Sequence, residues 1–186
     1  DPFWTDRLTR LADTFFNVAI MAEYAPKIAD GFFVTVWLAL AVVVTGIVAG
    51  LMLAVIRSVR LRLLNFFIVV FVDVMRAVPP LVIIIILYFA LPTIGVRLSG
   101  VVSTWLALSM VLAAFAEEIF WAGILAVPKG QWEAARSTGL TPMQTMRSVV
   151  LPQAVRMTIP PLTNRTIAIT KGTALGAVVA VGEILY

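Results

Sequence analysis

The chain of 186 residues contains no cysteine and no histidine. Those absences exclude thiolate and imidazole metal sites, a disulfide framework, Cys or His nucleophile systems and the Ser-His-Asp triad. Charge is scarce as well: 13% of residues are charged and 61% hydrophobic, against about one quarter and one half in a soluble domain. A mean hydropathy of +1.03 makes lipid the solvent for much of the surface, so a polytopic membrane protein is expected. The net charge of +4 is too small and scattered for nucleic-acid binding. Its Lys and Arg clusters flank apolar segments, where such residues set membrane orientation. A G-x-x-x-x-G-K-[ST] phosphate loop is also missing, so any nucleotide must be bound by a partner.

What is present is a series of long apolar runs. Asp1 to Asp30 mixes charges with Phe3, Trp4, Phe15, Phe16 and Tyr24, and reads as an amphipathic, interfacial lead-in. Phe32 to Ile56 is 25 uncharged residues, enough at about 1.5 Å per residue to cross a hydrocarbon core of roughly 30 Å. Arg57, Arg60 and Arg62 follow at once, which places that end in the cytoplasm and the N-terminus outside. A second span, Leu63 to Leu91, carries Asp73, Arg76 and Pro79-Pro80 and must bend or break. Pro92 and Gly95 mark an outer loop, and a third span from Val101 to about Leu125 returns inward with Glu117 and Glu118 in its second half. Residues 128–150 form a polar, helix-compatible cytoplasmic segment with Lys129, Arg136 and Arg147. A fourth span, Leu151 to about Thr170, is expected to break at Pro160-Pro161. Gly172 to Gly182, 11 residues ending at Glu183, is too short to cross alone and reads as a re-entrant or partial helix. The fold class is therefore an all-α membrane protein, one domain over residues 1–186, with four clear spans and a fifth expected beyond Tyr186.

Met75-Arg76-Ala77-Val78-Pro79-Pro80-Leu81 is similar to Arg156-Met157-Thr158-Ile159-Pro160-Pro161-Leu162. Paired proline-interrupted helices point to a transport site, because broken backbone is tolerated at membrane depth only where it faces protein or water. Chance kinks in a chain with ten prolines are the alternative. Asp73, Arg76, Glu117, Glu118, Arg156, Arg165, Lys171 and Glu183 are ionisable residues within or beside spans, which are costly in lipid and usually kept for a pathway or a partner. Asp73 and Arg76, three apart on one helical face, either form an internal ion pair or line a path. Gly46 to Gly50 and Gly172 to Gly176 have the small-xxx-small spacing of close helix packing, within the chain or between subunits.

The segment Gly130-Gln131-Trp132-Glu133-Ala134-Ala135-Arg136-Ser137-Thr138-Gly139, continuing to Val149-Val150-Leu151-Pro152-Gln153-Ala154, predicts a short helix, a turn and a second short helix. It resembles the EAA loop of ABC importer permeases. "VPKGQWEAARSTG", "VVLPQAVRMTIPPL" and "DVMRAVPPLVIIIILYFALP" are similar to the polar amino acid uptake branch, and the resemblance covers roughly Gly31 to Tyr186. It implies a bacterial inner-membrane subunit moving polar amino acids into the cytoplasm. An ATPase dimer holding ATP and Mg would power it, a periplasmic or lipid-anchored binding protein would feed it, and a second permease subunit, the same or different, would complete the path. Coupling to the ATPase is assigned to Glu133, Ala134, Ala135, Arg136, Gly139, Leu151 and Pro152. The substrate path is assigned to Arg76, Glu117, Glu118, Trp121, Asn164, Lys171, Thr173 and Glu183. Trp121 stands where the family usually has Arg and Gly172 where it usually has Asp, which removes two charged contacts and implies that a sister subunit does more of the recognition. The rival reading is an ion-coupled carrier or channel using Asp73, Glu117, Glu118 and Glu183.

Overall fold

The computed structural model describes residues 7, 10, 11, 17–59, 61–179 and 181. Every element among them is helical. The first helix, α1, runs Val18–Ser58 and so starts well before Phe32. Glu23, Lys27 and Asp30 end the apolar run, but they sit on an exposed face and Glu and Lys are sound helix formers, so the helix runs through them. The Lys27 ammonium lies 5.0 Å from the centre of the Tyr24 ring. Much of the expected lead-in, and Glu183 with the residues after it, lie outside the described residues.

Helix α2, Arg62–Ala77, stops because Val78 and Pro79 each precede a proline and are held extended, Val78 at φ −88° and ψ 129°. The chain restarts as α3, Pro80–Ile85, and continues through a π turn, Ile86–Ala90, and a 3-10 turn, Leu91–Ile94. The two halves meet at 104°, so the predicted bend at Pro79-Pro80 is a true corner. Gly95 ends the 3-10 turn at φ 89°, with the Val96 and Gly95 N–H groups donating to the carbonyls of Leu91 and Pro92.

Helix α4, Gly100–Ala126, is the hub, with Ser99 capping its start. Along one side α1 runs parallel to it, and Gly46 and Gly50 lie against Leu112, Ala116 and the Ala113 carbonyl. Their small-xxx-small spacing therefore serves packing within this chain. Thr45 joins the same seam through hydrogen bonds to Ser109 (2.7 Å) and from the Trp105 indole (3.2 Å). Helix α2 seats Ile68 and Val72 on Ala114. Ile83 and Ile84 of α3 join Leu38, Val42, Leu108 and Leu112 in the main core.

Along a neighbouring side of α4, helix α7, Leu151–Thr170, runs antiparallel and continues as a 3-10 helix, Lys171–Val179. Gly123 meets Ala154 and Thr158 at one end, Gly172 meets Leu108 midway, and Gly100 backs onto Val179 at the other. The expected break at Pro160-Pro161 does not occur: both prolines lie inside an unbroken helix. Proline φ suits a helix, and packing on α4 before and after the pair, at Ala154 and Thr158 and again at Gly172, carries the helix across the two missing hydrogen bonds. The Gly172 run is likewise no separate partial helix but the continuation of α7. Two short helices complete the fold: α5, Lys129–Ser137, and α6, Pro142–Thr145, with a π turn Met146–Val150 leading into α7.

Two helices are long and apolar enough to cross a membrane, Ala22–Ser58 and Gly100–Ala126, or three if the bent pair α2–α3 counts as one span. Of the four spans expected, two to three are identified by length and composition; Arg156, Asn164 and Arg165 keep α7 from qualifying. The result is a membrane-embedded all-α bundle. Trp37, Leu40, Val44, Val48 and Met52 form an outward apolar stripe on α1, the surface lipid or a neighbouring helix requires.

Candidate functional site

The segment between α4 and α7 is built from local rules. Helix α5 ends in a Schellman turn: Leu140 N–H donates to the Ala135 carbonyl (3.4 Å), Gly139 N–H to Arg136 (3.0 Å), and Gly139 takes φ 88°. Thr141 and Gln144 then form a reciprocal capping box with Pro142 in the first turn of α6. Within α5, Ala135 is buried and Trp132 half-buried, while Glu133, Ala134 and Arg136, and Gly139 in the turn after it, are exposed. Trp132 packs into a core of Ala54, Phe120, Ile124, Val127, Met146 and Val150. The Gln153 amide donates to Gln131 (3.4 Å) and to the Val149 carbonyl (2.7 Å), so α5 is tied to the start of α7. Leu151 packs half-buried at that start, and Pro152 is exposed beside it. A cavity of about 360 Å³ lies between Ser58, Trp121, Ile124, Lys129 and Trp132, where α5 meets the ends of α1 and α4.

Adjacent glutamates on α4 pair with arginines from different helices. Glu117 is fully buried and accepts from Arg57 Nη1 at both carboxylate oxygens, 3.0 and 3.2 Å. The Arg57 guanidinium also lies 4.9 Å from the centre of the Trp121 ring. Arg57 therefore turns back into the bundle. Glu118, facing the other way, pairs with Arg76 of α2. The candidate Asp73–Arg76 ion pair does not form, because Arg76 is drawn to Glu118 across the helix interface; Asp73 is exposed.

Close to that second pair the Phe115 ring carries two guanidinium groups, Arg165 at 3.7 Å and Arg76 at 5.3 Å from its centre. Ile119, Pro161, Asn164 and Arg165 line an open cavity of about 470 Å³ beside it. Of the residues assigned to a path, the structure brings Arg76, Glu118 and Asn164 to this one region. Glu117, which is fully buried, and Trp121 stand together with Arg57, apart from that region. Thr173 is buried and donates to the Thr170 carbonyl (3.0 Å), and Lys171 is exposed at the start of the 3-10 helix.

Residues 46–185 match the family described as "Binding-protein-dependent transport system inner membrane component". The chain belongs to that family. The Probable amino-acid ABC transporter permease protein YckA of Bacillus subtilis (strain 168) is 38% identical over 170 residues, covering 91% of this chain and 75% of that protein. The Probable glutamine ABC transporter permease protein GlnP of the same organism is 35% identical over 171 residues, 92% and 78% of the two chains. The crystal structure of an amino acid ABC transporter with histidines superposes with a TM-score of 0.79 at 31% identity, covering 89% of this chain and 78% of that one.

In this permease, sequence reading missed the residues whose role depends on a distant partner. Arg57 reads as an orientation signal beside Arg60 and Arg62, and nothing local marks it as the counter-charge of Glu117, 60 positions away. Arg165 is visible only as an ionisable residue in a span, and Phe115 carries no signal. Trp132 and Gln131 lie inside the quoted motif, and their amphiphilic character amid small residues is the cue that could have singled them out.

Proposed function

We propose that this permease is the membrane subunit of a bacterial ABC importer for polar amino acids, and that α5 is the surface through which an ATPase subunit drives it. The observation carrying the proposal is the seating of α5: Ala135 and Trp132 anchor it into the core while Glu133 and Arg136 face outward in a chain of this family. A push on that exposed face reaches α7 through Gln131–Gln153 and reaches α1 and α4 through the packing of Trp132. Ala134 and Gly139 leave room for close approach, and Leu151 and Pro152 stand at the start of α7, where that push arrives.

In this reading residues 1–186 belong to one permease domain of about five spans, with the N-terminus outside and residues 128–150 in the cytoplasm. Two permease subunits, here taken as different, enclose the path, an ATPase dimer holds ATP and Mg, and a periplasmic or lipid-anchored protein delivers the amino acid. Arg76, Glu118, Asn164, Lys171, Thr173 and Glu183 belong to this chain's side of the path. Each state must contact the substrate or delivery protein differently for ATP to shift the equilibrium.

The test is reconstitution of the permease with its ATPase and binding protein in vesicles, measuring labelled L-glutamine uptake and ATP hydrolysis. Glu133→Lys is expected to abolish uptake while the complex still assembles and hydrolyses ATP. Normal import by that variant in an intact complex would remove the coupling role from α5. Uptake by the isolated permease on an ion gradient, without nucleotide, would establish the carrier reading instead.

A further inference from the structure

The cation at the α4–α7 cavity has no carboxylate partner among the described residues. Among the described residues the ion pairs of α4 go to Arg57 and Arg76, whereas Arg165 has its guanidinium stacked 3.7 Å from the centre of Phe115. Stacking engages the flat face of a guanidinium and leaves its edge of N–H donors free, the edge that grips a carboxylate bidentately. That edge belongs to a residue lining a cavity of about 470 Å³, a size suited to a small organic ligand. An ionisable group kept within a membrane-embedded helix without a counter-charge is costly unless a partner or a path uses it.

Asn164, also in the lining, supplies an amide oxygen beside Arg165. Donors at Arg165 and an acceptor at Asn164 match an α-carboxylate beside an α-ammonium. The nearest acid, Glu118, is already neutralised by Arg76, and Asp73 lies a turn away on α2, outside the lining. Among the described residues, a second positive charge on a ligand would find no free carboxylate in the lining.

We propose that Arg165, stacked on Phe115, anchors the carboxylate of the transported amino acid, and that this site favours neutral or acidic side chains over cationic ones. The proposal rests on the importer reading and specifies its substrate class. The test measures binding of labelled L-glutamine, L-glutamate and L-arginine to the purified permease–ATPase complex without its binding protein. Wild type binds glutamine or glutamate more tightly than arginine. Arg165→Gln weakens that binding roughly tenfold or more, as loss of a charge-assisted bidentate contact requires. Arg165→Lys retains more of it, and Arg165→Glu turns the preference toward L-arginine, each in a complex that elutes as a single species. Should the variants not assemble, wild type alone decides: L-glutaminamide, lacking the carboxylate, must compete at least about tenfold more weakly than L-glutamine. Equal competition, unchanged binding in Arg165→Gln, or no binding of glutamine and glutamate to wild type overturns the proposal. Uptake assays separate this from the importer reading: ATP-driven import that persists while Arg165 proves indifferent removes only the anchor, and binding without ATP-driven import removes only the importer.

Discussion

Removing Arg57 tests the energetic argument of the bundle directly. Glu117 has no solvent exposure and its two carboxylate oxygens lie 3.0 and 3.2 Å from a single guanidinium nitrogen. Arg57→Met keeps most of the side-chain volume but strands a carboxylate in the seam between α1 and α4. Breaking a buried pair in this way costs about 3–5 kcal/mol. Arg57 is itself 22% exposed, so water reaches one side of the pair and the lower end, about 3 kcal/mol, applies. At ~2–4 °C per kcal/mol for a chain of this size, the midpoint of thermal unfolding should fall by roughly 6–12 °C. The double variant Arg57→Met, Glu117→Met removes both charges and should recover most of that loss, since well-packed apolar residues often replace a buried pair at little cost. The assay is thermal stability of the detergent-solubilised complex, followed by size-exclusion, with all four members of the double-mutant cycle. A drop below about 2 °C for Arg57→Met, or a double variant no more stable than the single, would falsify the claim that Glu117 depends on this counter-charge.

Two glycines give further tests, one steric and one conformational. A Cβ at Gly50 would stand 2.5 Å from Ala116 Cβ and 2.8 Å from the Ala113 carbonyl, so Gly50→Ala forces α1 off α4 and should destabilise by about 1–3 kcal/mol, read as a lower unfolding temperature; no change would mean the seam is looser than its geometry. Gly139, by contrast, has nothing within 4 Å of such an atom but a φ of 88°, so Gly139→Ala acts through backbone strain alone, about 1–2 kcal/mol. Gly139→Asn, which tolerates the left-handed region, should retain more uptake per assembled complex than Gly139→Ala. Equal uptake by the two would show that the turn does not shape α5.

What could be read in the chain by itself was what short-range chemistry decides. Apolar runs located α1 and α4, Pro79-Pro80 located the corner before α3, and Gly139 with Pro142 separated α5 from α6, because caps, proline φ and left-handed glycines act over a few residues. The motif around Glu133 pointed to the family for the same reason: its helix, its turn and its exposed face lie within one contiguous segment. Even so, hydropathy misplaced the start of α1, since it reports where lipid is tolerated and not where backbone hydrogen bonding begins. Only the packed structure settled the rest. Arg57 chose Glu117, Arg76 chose Glu118 over Asp73, and Arg165 settled on Phe115, all across gaps of 42 to 60 positions. Pro160-Pro161 stayed within an unbroken helix, while Pro79-Pro80 turned a corner. The two motifs are alike in sequence, but α7 is held on α4 on both sides of its prolines, by Ala154 and Thr158 against Gly123 and by Gly172 against Leu108, so the helix continues across the two lost backbone bonds.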